Sequence, residues 1–191
     1  MTDAFEVLKA DHEKVELVLD ALADGPSAST GANQEQLASR KKLTEQLIID
    51  ESGHEAVEEQ HFWPTVRERL ANGDQLAYRA IGQEQEAKQV LAKLDKMEAS
   101  DADFDKLLSE FTSAAREHVA FEETKVWPGL RATLTSAEAS ELGDRLLKAK
   151  ESAPTRPHPR TPASPGVLKT AGPVVSAADK LRDTVTGRGQ D

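Results

Sequence analysis

A chain of 191 residues is long enough for one domain with a sizeable core. Without a cysteine it can have no disulfide, thiolate metal site or cysteine nucleophile. A net charge of −10 argues against a nucleic-acid backbone as its main partner.

The charge is uneven. Residues 1–150 hold 18 Lys/Arg against 30 Asp/Glu, whereas residues 151–191 hold 6 against 4. This divides the chain into an acidic body and a Pro-rich linker with a flexible tail. The opening Met-Thr-Asp-Ala-Phe-Glu lacks the basic and apolar regions of a signal peptide, and no apolar run reaches membrane-spanning length. The expected setting is the cytoplasm, with no membrane and no nucleic-acid partner.

From Thr2 to Lys150 the pattern is helical: Leu, Ala, Glu, Lys and Gln dominate, and apolar residues recur at three and four. Breaks at Gly25–Asn33, Asn72-Gly73-Asp74 and Ser100-Asp101 predict helices over 2–23, 34–70, 74–99 and 101–133. A short fifth, over 136–150, opens on the capping box Thr135-x-x-Glu138. Five prolines between 152 and 166 read as an extended linker. The tail beyond is expected to be disordered or loosely docked, with one short helix near Ala177–Val185, and could bind a protein partner.

The helices carry an internal repeat. At an offset of 64, His54 pairs with His118, Glu58 with Glu122, Glu59 with Glu123, Trp63 with Trp127 and Pro64 with Pro128. The first and third helices align at an offset of 72, which matches His12 with Glu84. Two helical hairpins of one design predict an all-α, up-down-up-down four-helix bundle.

His54 and Glu58 are four apart, so on a helix they stand one above the other and can ligate one ion, or the carboxylate can bridge two. His118 and Glu122 repeat the arrangement. His12 heads an apolar stripe through Val15, Leu19 and Leu22, and Glu84 one through Ala87, Leu91 and Leu94. An ionised carboxylate on such a face needs a counter-charge, which a cation between the helices supplies. His61 shares a helical face with positions 54 and 58 and is a further candidate ligand. Glu55 could bridge but is read as a surface residue. Lys125 is expected to reach water, Trp63 and Trp127 to pack the core, and Tyr78 to have no role.

The order His, His-x-x-x-Glu, a helix-three ligand, then His-x-x-x-Glu resembles the hemerythrin-like HHE cation-binding family over residues 3–134, as do the Glu-Glu and Trp-Pro pairs after each motif. The resemblance implies a bundle holding two non-haem iron ions, oxo- or hydroxo-bridged, with His12, His54, Glu58, His118 and Glu122 at ligand positions. Glu84 stands where the family usually has histidine, and His61 where an apolar residue is usual. The implied function is binding of, or reaction with, a small molecule (O2, NO or H2O2) in oxygen or redox sensing, storage or detoxification, which leaves open a catalase- or peroxidase-like activity. Anionic oxygen ligands favour Fe(III), which tilts the expectation toward peroxide or NO. The alternatives are a ferritin-like site, for which Glu58-x-x-His61 supplies half of the motif, and a metal-free helical interaction module.

Overall fold

The computed structural model describes residues 2–159 and 175–184. Among them no strand occurs, and no helix is long and apolar enough to cross a membrane. The first rod is α1 (Ala4–Asp24). The second is α2 (Gln34–Val57), which passes through a π-helical turn, Glu58–Phe62, into α3 (Trp63–Arg69). The third is α4 (Gly73–Leu94). The fourth is α5 (Phe104–Phe121), which passes through a second π-helical turn, Glu122–Val126, into α6 (Trp127–Thr133). These four rods form the up-down-up-down bundle, and α7 (Ser136–Lys150) folds back along α1.

Local chemistry fixes the helix starts. Reciprocal capping boxes close α1 through Asp3 and Glu6, α2 through Asn33 and Gln36, and α7 through Thr135 and Glu138. The two π-helical turns sit at the same place in each hairpin, and proline explains them. Pro64 and Pro128 each fall just after a tryptophan, and a proline inside a regular helix removes a donor and crowds the carbonyl four residues back. Widening the preceding turn relieves that crowding. Trp63 N–H bonds to the Glu58 carbonyl and Trp127 N–H to the Glu122 carbonyl, each five residues back. The rods continue past the prolines with a local bulge.

Two apolar layers fill the bundle. One joins Phe5, Leu8, Trp63, Val66, Trp127 and Leu130 with Leu142 and Leu146 of α7. The other joins Leu19, Leu22, Leu47, Ile48, Leu91 and Phe111. Along every rod the polar candidates fall between the layers. His12 lies between Leu8 and Val15, and Glu84 between Ala80 and Leu91.

One expectation needs correction. The third helix ends at Leu94 rather than 99, and the next begins at Phe104 rather than 101. The intervening turn is stabilised by the Asp101 carboxylate accepting the Glu98 N–H. Its Met97 and Ala99 pack against the core and so prolong the apolar periodicity beyond the helix. Part of the tail is described. Residues 175–184 are helical, and they dock with 151–159 on the bundle. Arg156 bridges Asp95 and Asp183, His158 Nε2 pairs with Asp179 at 2.8 Å, and Gln85 donates to the Pro159 carbonyl. The remainder of the tail, 160–174 and 185–191, lies outside the described residues.

The α3–α4 corner leaves no room for a side chain at Gly73, where a Cβ would stand 2.2 Å from the Val66 carbonyl oxygen and 2.7 Å from Arg67 Cα. Both neighbours are backbone and cannot swing away. Gly73→Ala should therefore destabilise the protein by about 1–3 kcal/mol, measured by denaturant unfolding. A neutral result would mean that the corner is looser than this packing requires.

Candidate metal centre

The polar layer brings six of the seven candidate ligands together. Two groups of side chains, each with its ligand atoms within 4.8 Å of one another, share an edge. The first pocket is His12 of α1, His54 of α2, Glu58 and Glu122; the second is Glu84 of α4, His118 of α5, and the same Glu58 and Glu122. Each pocket draws its end residues from one hairpin, and the carboxylate heading each π-helical turn belongs to both pockets. The repeat seen in the sequence is thus a two-fold relation between the pockets, broken where His12 has Glu84 as its counterpart.

The distances are those of groups aimed at a common centre. His54 Nε2 lies 3.3 Å from Glu58 Oε2, His118 Nε2 lies 3.2 Å from Glu122 Oε1, and His12 Nε2 lies 3.2 Å from Glu122 Oε2. Glu58 and Glu122 are fully buried. The Nε2 atoms of all three histidines, both oxygens of Glu58 and Glu122, and Glu84 Oε2 have no hydrogen-bond partner. Leaving that many buried polar atoms unpaired is costly, and a cation at their centre removes the cost. The residues fit a metal.

A surrounding set of acceptors orients the imidazoles. His12 Nδ1 meets Glu123 Oε1 at 3.0 Å, His54 Nδ1 meets Asp11 Oδ2 at 3.2 Å, and His118 Nδ1 meets Gln83 Oε1 at 3.3 Å. With an oxygen acceptor on every Nδ1, the proton sits there and Nε2 keeps its lone pair for a metal. Lys150 of α7 in turn pairs with Asp11. The tryptophans do more than pack. Trp63 donates Nε1–H to Glu84 Oε1 at 2.5 Å, and Trp127 stacks on His12 with centroids 5.2 Å apart and planes 15° from parallel.

The charges explain what the cluster does without a cation. Burial pushes the Glu84 carboxyl well above the ordinary range, reinforced by Glu58 and Glu59. Glu58 is raised by burial and by Glu122. Burial would pull the histidines down, but Glu58 and Asp11 outweigh it at His54, which is pushed up to about 10, and Glu122 outweighs it at His118. Glu122 is held low against its own burial by His118 and His12. Protons therefore serve as the counter-charge.

His61 joins neither pocket. Its expected face assumes regular α-helix, whereas it lies inside the Glu58–Phe62 π-helical turn. The wider turn places a residue three positions on further from register with Glu58. Glu55, read as a surface residue, is buried and faces Lys88. Lys125 is exposed, as expected, and Tyr78, for which no role is expected, is exposed too. Sequence reasoning misses Asp11, Gln83 and Lys88; a polar residue next to a ligand position is the only signal it has for the first two.

Comparison with known proteins agrees with a helical cation-binding domain. The hemerythrin HHE cation binding domain matches residues 3–130. A hemerythrin-like protein of Schizosaccharomyces pombe is 26% identical over 184 residues, covering 96% of this chain and 86% of that protein. The crystal structure of a hemerythrin HHE cation binding domain-containing protein from Mycobacterium kansasii superposes with a TM-score of 0.64. It covers 94% of this chain and 99% of its own at 21% identity, a likeness of fold.

Metal and protons compete for the same atoms, which fixes a pH dependence. His54 has a folded pKa of about 10 against an ordinary 6.5, so its stabilising charge is fully present below 6.5 and is lost as pH rises through 10. Glu84, raised above 4.5, likewise favours the folded state less as pH rises. The metal-free protein should lose stability from pH 6.5 to 10, and metal uptake should release protons and tighten over the same range. Thermal melts and calorimetry in two buffers of different ionisation heat test this. Proton-neutral uptake would contradict it.

Proposed function

We propose a di-iron centre for this chain, which belongs to the hemerythrin HHE cation-binding family, with binding of or reaction with O2, NO or H2O2 as its function. The observation that carries the reading is that Glu58 and Glu122 belong to both pockets. Carboxylates shared in this way can bridge two ions held side by side. Three imidazole nitrogens with carboxylate oxygens and no thiolate suit iron. Bound iron would supply the electrons exchanged with such a ligand.

The protein residues bias that exchange. Glu84 gives the second pocket an anionic oxygen where the first has an imidazole, and hard oxygen donors favour Fe(III) over Fe(II). Trp63 holds Glu84 in place, and the apolar layers on either side exclude bulk water. This favours peroxide or NO reactivity over reversible carriage by the ferrous state. The ferritin-like reading loses its one complete motif, because His61 is in neither pocket. A metal-free interaction module has no use for six buried ligand groups turned on one centre.

Anaerobic iron loading followed by metal analysis should give close to two irons per chain. No retained transition metal would overturn the reading. Titrating the reduced protein separately with O2, NO and H2O2 and following its absorption identifies the ligand.

Glu84→Gln keeps the size of the side chain and removes its charge. It should lower iron occupancy or make the reduction potential more positive, whereas Glu84→His should lengthen the life of an O2 adduct. Unchanged iron content, spectrum and potential in Glu84→Gln would remove Glu84 from the ligand set.

A further inference from the structure

Beside the second pocket lies a group of buried ionisable side chains that the ligand set does not use. Lys88 of α4 stands one turn beyond Glu84 and is 7% exposed. Its Nζ lies 2.5 Å from Glu59 Oε1 and 3.8 Å from Glu55 Oε2. Both carboxylates are buried as well, and Glu55 Oε2 has no hydrogen-bond partner. Pro154, Arg156, Pro157 and His158 of the docked tail line the cavity next to Lys88 and Glu59. Buried lysines are rare, and removing one from a paired cluster leaves uncompensated charge behind.

The internal repeat accounts for the position. Glu59 is the counterpart of Glu123, and Glu84 that of His12. In one half of the molecule Glu123 receives a hydrogen bond from His12 Nδ1. In the other half the counterpart of that histidine is a carboxylate with no ring proton to give, and Lys88 supplies the donor to Glu59 instead. The counterpart of Lys88 at the same offset is Glu16, a half-exposed residue paired with Arg116. The carboxylate at 84 and the lysine at 88 are thus two parts of one departure from the repeat.

We propose that Lys88 is a positioning residue for the second pocket. Its fixed ammonium, paired with Glu59 and close to Glu55, offsets the carboxylates beside the ligands and raises the pocket's reduction potential. The inference rests on the di-iron reading. Burial would push this ammonium down, but Glu55, Glu59 and Glu84 outweigh it and keep Lys88 charged. A fixed positive charge disfavours the more highly charged Fe(III), so Lys88 opposes the ferric bias of Glu84.

The test uses the full chain loaded with iron and compares wild type, Lys88→Met, Lys88→Arg, Glu59→Gln and the double variant Glu59→Gln/Lys88→Met. The readouts are iron content, the redox titration followed by absorption, and thermal unfolding of the iron-free protein. Lys88→Met should retain iron and shift the titration to more negative potential, raising the ferric-to-ferrous ratio at fixed potential on the order of tenfold. Lys88→Arg should restore it toward wild type. The double variant leaves no charge from the Lys88–Glu59 pair and keeps the test alive if Lys88→Met does not fold; it should titrate below Glu59→Gln alone. Equal potentials in that pair, or in Lys88→Met and wild type, would overturn the proposal even if stability falls. A wild-type protein that takes up no iron overturns the di-iron reading first, and this inference with it.

Discussion

Three carboxylates and three imidazoles share one buried layer of this bundle, and they cannot stay there without positive charge among them. The cost of placing several anions in an apolar interior exceeds what side-chain packing returns at any single position. Protons meet the requirement in the metal-free protein, where the carboxyls of Glu58 and Glu84 are raised and the rings of His54 and His118 stay charged. A metal ion meets it with more charge and better geometry. The division of the core into two apolar layers follows from the same constraint, since the layer between them has to be polar on all four rods.

The backbone serves that layer through two prolines. A regular helix through Pro64 or Pro128 would crowd the carbonyl four residues earlier, so each rod widens by one residue just before the tryptophan. The residue at the head of each bulge is the carboxylate that both pockets share. The following tryptophan reaches the opposite hairpin: Trp63 to Glu84, Trp127 to His12. Each proline therefore has a consequence at the site, by setting the turn from which a shared carboxylate and its neighbour's support are both presented.

Duplication makes much of this legible in the amino-acid sequence. The offset of 64 identifies both His-x-x-x-Glu pairs, and the apolar stripes place His12 and Glu84 inside. The rods, their order and α7 follow from periodicity and one capping box. What the sequence misplaces has one main cause, which is that periodicity assumes regular geometry. α-Helical counting puts His61 on the ligand face, whereas it lies inside the π-helical turn and joins neither pocket. Met97 and Ala99 keep the apolar rhythm through a turn that is not helical. Glu55 reads as surface because a glutamate in a helix usually is; its buried partner Lys88 lies on another rod 33 positions later and has no local signal. Contacts between rods are invisible to a one-dimensional pattern unless a repeat reports them.

The broken symmetry carries the functional argument. If both halves held histidine at the His12 and Glu84 positions, the pockets would be chemical images and each tryptophan could stack on a ring. Instead Trp127 stacks on His12 and leaves its indole N–H without a partner, while Trp63 spends its N–H on Glu84. Lys88 adds a cation on the side that has gained the anion. One pocket is thus richer in oxygen donors and sits beside a fixed positive charge, and the other is richer in nitrogen and has a carboxylate behind its histidine. Two ions in such a site would not be equivalent: the oxygen-rich pocket would hold the more oxidised ion unless Lys88 offsets the added carboxylate. The balance between Glu84 and Lys88, rather than the ligand count, would then decide how far two such ions differ.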